Sequence, residues 1–114
     1  MVLIEAIVKS FKLDDVKEAL EELGVGGLTV TEVMQSAPPR QGGHSVRAGR
    51  PTPDLVPKLK IQVVARKELA ERIVEALCLH GSSGKTEDGR IIVKKVQTAV
   101  RIRTGELDEL ALTS

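Results

Sequence analysis

The chain of 114 residues has no tryptophan and no tyrosine, and Phe11 is its only aromatic residue. Its core must therefore be filled by aliphatic side chains. The stacking of bases on aromatic rings, which single-strand nucleic-acid binders use, is essentially closed to it. Cysteine is just as scarce: Cys78 stands alone, so no intramolecular disulfide can form, and a cysteine-based zinc cluster lacks its ligands. A strong excess of one charge is missing too. Seventeen basic residues against sixteen acidic ones argue against nucleic acid as a partner. No apolar stretch approaches the roughly 20 residues that span a bilayer. The start Met1-Val2-Leu3-Ile4-Glu5 does not read as a signal peptide. The expectation is a single cytoplasmic domain over 1–114 with no membrane insertion, burying about two-thirds of its unfolded surface.

What is present falls into two similar halves. Residues 2–9 alternate, with Val2, Ile4, Ala6 and Val8 on one face and Leu3, Glu5, Ile7 and Lys9 on the other, which predicts a strand. Residues 14–23 carry the helical stripe Val16, Ala19, Leu20 and Leu23, with Asp14 and Asp15 in the first turn and Gly24 as the stop. Leu28–Met34 is a second strand. The pattern then repeats, with a strand at Leu59–Ala65, a helix at Glu68–Leu79 and a strand at Ile91–Val96. Cys78 sits beside Leu77 on that helix and is expected in the core. The order β-α-β, long loop, β-α-β predicts an α+β fold of the ferredoxin-like βαββαβ type. Its four-stranded antiparallel sheet would carry both helices on one face. The other face would leave Leu3, Ile7 and Val64 to water, which predicts an interface and a homo-oligomer.

All five prolines lie in the linker at 36–57, together with Gly42, Gly43 and Gly49. Regular structure is not expected there. A connection this long inside a small domain is usually functional. Arg40, Arg47 and Arg50 against Asp54, with His44, make it a basic partner-binding loop.

A phosphate site is the other chemical signal. Residues 81–90 read Gly-Ser-Ser-Gly-Lys-Thr-Glu-Asp-Gly-Arg. This is a loop of glycines and hydroxyls with Lys85 in the middle and Arg90 at the end. Arg101-Ile102-Arg103 reads as strand-like alternation that would place both arginines on one face. Exposed backbone N–H groups and fixed cations suit a nucleotide phosphate chain. The loop is no Walker A motif, because Gly81 lies three residues before Gly84 rather than five. Asp88-Gly89 is equally a favoured hairpin dipeptide leading into Ile91.

Taken together these segments resemble the PII signal-transduction family. The resemblance is carried by Ala6-Ile7-Val8-Lys9, Phe11-Lys12-Leu13-Asp14-Asp15-Val16 and Gly27-Leu28-Thr29-Val30-Thr31-Glu32-Val33. It continues through Pro57-Lys58-Leu59-Lys60-Ile61, Gly84-Lys85 with Asp88-Gly89-Arg90, and Arg101 to Glu106. The resemblance implies a homotrimer that binds adenine nucleotides (ATP, ADP or AMP) between subunits and touches a target protein with its long loop. It assigns Lys85, Thr86, Glu87, Asp88, Gly89, Arg90, Arg101 and Arg103 to the phosphate end of the site. Ile7, Gly27, Leu28, Thr29, Gln62 and Val64 would line the adenosine end. Many family members also bind 2-oxoglutarate through magnesium, with a loop-base glutamine and a lysine matching Lys58.

The chain departs from that pattern in three places. Glu87 stands where the family usually has glycine. A carboxylate there repels phosphate by roughly 1 kcal/mol at about 4 Å in water, which points to ADP or AMP over ATP. Pro51 replaces a modifiable tyrosine, so uridylylation is excluded. The loop base reads Ala37-Pro38-Pro39-Arg40-Gln41, which leaves Gln41, two residues along, as the candidate glutamine. The second effector is thus left open among 2-oxoglutarate, bicarbonate and neither. The expected function is non-catalytic signalling toward a membrane transporter or a metabolic enzyme, in nitrogen or carbon regulation. The alternative is a slow ATPase using Glu87 and Asp88, with His80 nearest. The C-terminal tail starts at about 104.

Overall fold

A computed structural model describes residues 1–37, 45–47, 50–52, 54–84 and 89–112; for residues 37, 45–47, 50–52 and 54 it describes the backbone alone. Strand β1 (Val2–Val8) shows the period of two that its sequence requires: Val2, Ile4, Ala6 and Val8 are buried, and the residues between them are half-buried. A 3-10 turn at Ser10–Lys12 leads into α1 (Leu13–Glu22), whose first turn carries Asp14 and Asp15. The carboxylates face the positive end of the helix dipole. Gly24 ends the helix with φ of 82°. Its N–H donates to the Glu21 carbonyl at 3.0 Å, and that of Val25 donates to the Leu20 carbonyl at 3.1 Å. This pair of bonds is a Schellman cap, for which glycine is the usual residue.

The chain continues through β2 (Thr29–Ala37), the ribbon strands β3 (Ser45–Arg47) and β4 (Arg50–Thr52), and β5 (Asp54–Ala65). Helix α2 (Lys67–Gly81), β6 (Ile91–Lys95) and a short α3 (Glu109–Leu112) complete it. The main sheet has the order β2-β5-β1-β6, and all its pairs are antiparallel. Val16 and Leu20 of α1 and Ile73 and Leu77 of α2 join Val2, Ile4, Ile61 and Val63 in one buried cluster. Both helices therefore cover the same sheet face, and the fold is the expected ferredoxin-like βαββαβ. The core is wholly aliphatic, and the one aromatic ring, Phe11, is 71% exposed.

Four expectations need correcting. Strands do enter the 36–57 segment: β2 runs to Ala37 and pairs with Asp54 of β5, and β3 pairs with β4. Pro57 is tolerated because β1 ends its pairing at Val8 opposite Leu59. Beyond that point β5 has one neighbour, and a strand edge accepts proline. Cys78 is exposed. A residue turns about 100° from its helical neighbour, and buried Leu77 already takes the core-facing position. Arg101–Thr104 is a turn rather than a strand: the Arg101 N–H donates to the Glu106 carbonyl, and the Gly105 N–H donates back to the Arg101 carbonyl. Glycine fits this turn, where φ of Gly105 is 73°. Finally, the sheet face opposite the helices does not stand alone: Ala111 and Leu112 border the same groove as its Leu3 and Val64.

Candidate functional site

On that second face, period two brings Leu3 and Glu5 of β1 opposite Val64 and Gln62 of β5, and Thr29 of β2 opposite Gln62. Leu3, Thr29, Gln62 and Val64 border an open groove of about 720 Å³, with a floor of Leu3, Gln62 and Val64 and a rim from Gly24–Gly27. The glycine-rich turn after α1 forms this rim, and no atom lies within 4 Å of where a Cβ on Gly27 would sit. Gly27, Thr29, Gln62 and Val64 of the expected adenosine end thus come together. Leu28 instead packs against the core cluster.

The groove is amphipathic. Val64 and Leu3 supply apolar surface, and Gln62 supplies a carboxamide. Gln62 Nε2 donates to Glu5 Oε1 at 3.0 Å. The same carboxylate oxygen lies 3.8 Å from Lys94 Nζ on β6. Glu5 is well shielded from solvent, so the pair holds the amide in one orientation. One N–H is committed, and a carboxamide still has a second N–H and a carbonyl acceptor.

Ile7 belongs to a different cluster. Its carbonyl lies so close to Gly89 that a Cβ there would sit 2.4 Å from the oxygen. The Ile7 N–H donates to the Arg90 carbonyl at 3.4 Å. Lys9 Nζ donates to Ser83 Oγ at 2.7 Å. Ile7 and Lys9 therefore contact the chain on both sides of residues 85–88, Ile7 through backbone and Lys9 through the Ser83 side chain. Lys85, Thr86, Glu87 and Asp88 themselves lie outside the described residues. Leu3 and Ile7 are about 13 Å apart along the strand at 3.3 Å per residue, so the groove and the contacts of Gly89 and Arg90 lie at different ends of β1.

Arg101 sits beside the groove wall. Its Nη2 donates to the Ala111 carbonyl at 3.2 Å, and its Nε lies 3.9 Å from Glu106 Oε1. Ala111 and Leu112 line the groove. Arg103 is exposed on the turn. Lys58 is 4% exposed, on the part of β5 paired only with β2. Arg40, Gln41 and His44 fall outside the described residues, as do the side chains of Arg47 and Arg50. Among the described residues no cluster of His, Cys, Asp and Glu could hold a metal ion, and no helix is long and apolar enough to cross a membrane.

Sequence reasoning missed Glu5, Ala111 and Leu112. Pairing β1 with β5 by their alternation would have placed Glu5 opposite Gln62. Nothing in the tail's composition announces that Ala111 and Leu112 border this groove.

Known proteins match this sequence over nearly its whole length. The profile of the family described as nitrogen regulatory protein P-II matches residues 1–106. The Haemophilus influenzae nitrogen regulatory protein P-II is 44% identical over 111 residues, covering 96% of this chain and 97% of its own. That of Rhizobium etli is 46% identical over 114 residues, covering 98% and 100%. That of Azospirillum brasilense is 49% identical over 105 residues, covering 90% and 92%. On these matches, and with the fold in agreement, the chain belongs to the nitrogen regulatory protein P-II family of signalling proteins.

Proposed function

We propose that this protein is a non-catalytic, nucleotide-responsive regulator acting in the cytoplasm. It binds an adenine nucleotide between the subunits of a homotrimer and reports the bound state to a target protein through residues 36–57. The observation that carries the reading is the groove, where Gly27, Thr29, Gln62 and Val64 meet beside Arg101. Its apolar floor and oriented carboxamide suit a heteroaromatic base bearing an amine. Gly89 and Arg90 lie at the other end of β1, so one chain presents two half-sites facing apart. A trimer that sets one subunit's loop end against its neighbour's groove completes the site. Arg103 and the 85–88 loop then meet the phosphates. The target is a transporter or a metabolic enzyme, and ligand binding works by favouring one state of the 36–57 segment.

Calorimetry with ATP, ADP and AMP, each with and without magnesium, 2-oxoglutarate and bicarbonate, tests the reading. Saturable binding with negligible turnover is expected. Steady phosphate release at enzymatic rates would replace the sensor with an ATPase. Light scattering that returned a monomer at micromolar concentration would remove the shared site.

A further inference from the structure

Gln62 stands between two neighbours across the sheet, opposite Glu5 of β1 on one side and opposite Thr29 of β2 on the other. A carboxylate only accepts. The bond from Gln62 Nε2 to Glu5 Oε1 therefore decides which way round the carboxamide sits. Its nitrogen faces β1, and its carbonyl oxygen is turned away from β1. Gln62 and Thr29 line the groove and Glu5 does not, which leaves that oxygen on the groove side. Among the described residues nothing donates to it. The Glu5 side chain is 14% exposed, shielded enough for its bond to Gln62 to hold against water. Lys94, 58% exposed and 3.8 Å away, adds only the small effect of a surface ion pair. The other polar side chains of the wall are Thr29 and Arg66. A threonine hydroxyl rotates to suit its partner, and a guanidinium only donates. The Gln62 carbonyl is thus the one side-chain acceptor in this wall, among the described residues, whose polarity is fixed.

We infer that Glu5 is a positioning residue: it locks Gln62 as a hydrogen-bond acceptor, and the groove selects a ligand that presents a donor to the Gln62 carbonyl. In a nucleotide that donor is the exocyclic amine of the base or a hydroxyl of the sugar. An analogue without it leaves the oxygen unpaired, at the cost of a lost hydrogen bond. An analogue with a carbonyl in place of the amine sets two acceptors against each other. Glu5 itself touches no ligand. It spares the ligand the cost of ordering a side chain that otherwise rotates. The inference rests on reading the groove as the adenosine half of a nucleotide site.

The test has two arms, both on the full chain. In the first, NMR of the free protein follows the Gln62 side-chain amide. One of its two protons should exchange slowly and lose that protection in Glu5→Gln. In the second, calorimetry compares ATP with ITP, which has a carbonyl in place of the amine, and with 2′-deoxy-ATP and 3′-deoxy-ATP. One hydrogen bond to a neutral group corresponds to about tenfold in affinity. The wild-type chain should bind the analogue that lacks the donor about tenfold more weakly than ATP, and the identity of that analogue names the donor. Glu5→Gln keeps the size of the side chain but can accept from the Gln62 amide or donate to it, so the carbonyl is correctly placed about half of the time or less. Apparent affinity scales with that fraction. ATP should bind about two- to fivefold more weakly to Glu5→Gln, while the analogue lacking the donor is unaffected, so the gap narrows. In a Gln62→Met background, which removes the carbonyl, Glu5→Gln should leave the gap unchanged. The inference is overturned, while the nucleotide reading stands, by a freely exchanging Gln62 amide in the free protein or by a wild-type chain that binds all three analogues as well as ATP. Equal weakening of ATP and every analogue by Glu5→Gln, or an effect on the gap that persists with Gln62→Met, overturns it as well. If the amide is held but no adenine nucleotide binds, the nucleotide reading falls and takes the selection with it. Should Glu5→Gln fail to fold, the wild-type amide and the analogue series decide alone.

Discussion

Replacing Gly89 by alanine would place a Cβ 2.4 Å from the Ile7 carbonyl oxygen and 2.8 Å from Ile7 Cβ. Neither neighbour can step aside cheaply. The first is backbone in the middle of the sheet, and the second is the branched carbon fixed to it. The segment 89–90 must therefore lift away from β1, which also stretches the 3.4 Å bond from the Ile7 N–H to the Arg90 carbonyl. Overpacking typically costs about 1–3 kcal/mol. A bond already this long adds about 0.5 kcal/mol. The total of about 1.5–3.5 kcal/mol should lower the urea midpoint by about 1–2 M for a typical denaturant dependence, measured at one protein concentration because assembly contributes to apparent stability. The same shift moves Arg90 and the exit of the 85–88 loop, so nucleotide affinity should fall while the groove keeps its shape. Gly27→Ala is the control. No atom within 4 Å meets its Cβ, and its cost should stay within about 0.5 kcal/mol. If Gly89→Ala were as mild as Gly27→Ala, the close approach to Ile7 would not constrain the protein.

Three further outcomes follow from particular residues. Leu20→Ala, at a wholly buried position, should destabilise the fold by about 2–5 kcal/mol, and thermal and urea unfolding should report a similar loss; a cost under about 1 kcal/mol would mean that the two helices do not depend on this contact. Glu87→Gly should strengthen ATP binding more than AMP binding, because ATP brings more negative charge near the carboxylate; equal gains in calorimetry would show that Glu87 points away from the phosphates. Deleting 42–49 should leave the trimer and nucleotide binding nearly intact by light scattering and calorimetry, since Lys85, Arg90, Arg101 and Arg103 lie elsewhere. It should also abolish capture of the target; an unfolded product would make the segment structural.

The fold was legible because each element has a strong period and a local stop. Val2, Ile4, Ala6 and Val8 could bury together only as a strand, and Gly24 marked the end of α1 through its need for a positive φ. Half of the candidate site came from the family resemblance, which named Gly27, Thr29, Gln62 and Val64, and the β-pairing then places Thr29 opposite Gln62. What could not be read depends on tertiary context. Prolines argue against strands in general, yet Pro57 pairs with Met34 where β5 has lost its other neighbour. Arg101 and Arg103 alternate like a strand, but the Gly105 N–H closes a turn onto the Arg101 carbonyl. Cys78 had an apolar neighbour on either side, and only the phase set by Ile73 and Leu77 turned it outward.

The overhang of β5 has a mechanical consequence. Residues 54–58 continue past the end of β1 with β2 as their partner, so two strands leave the body of the sheet together over a span of about 17 Å. The same two strands hold Thr29 and Gln62 at their inner end. A tilt of this pair would work as a lever, with its fulcrum at the edge of the sheet and its short arm at Thr29 and Gln62. A tilt of about 5° at the fulcrum moves the outer end by about 1.5 Å over that span. Under the proposed function, a contact surface carried beyond Ala37 and Asp54 would turn a displacement too small to disturb the core into one large enough to make or break a docking contact.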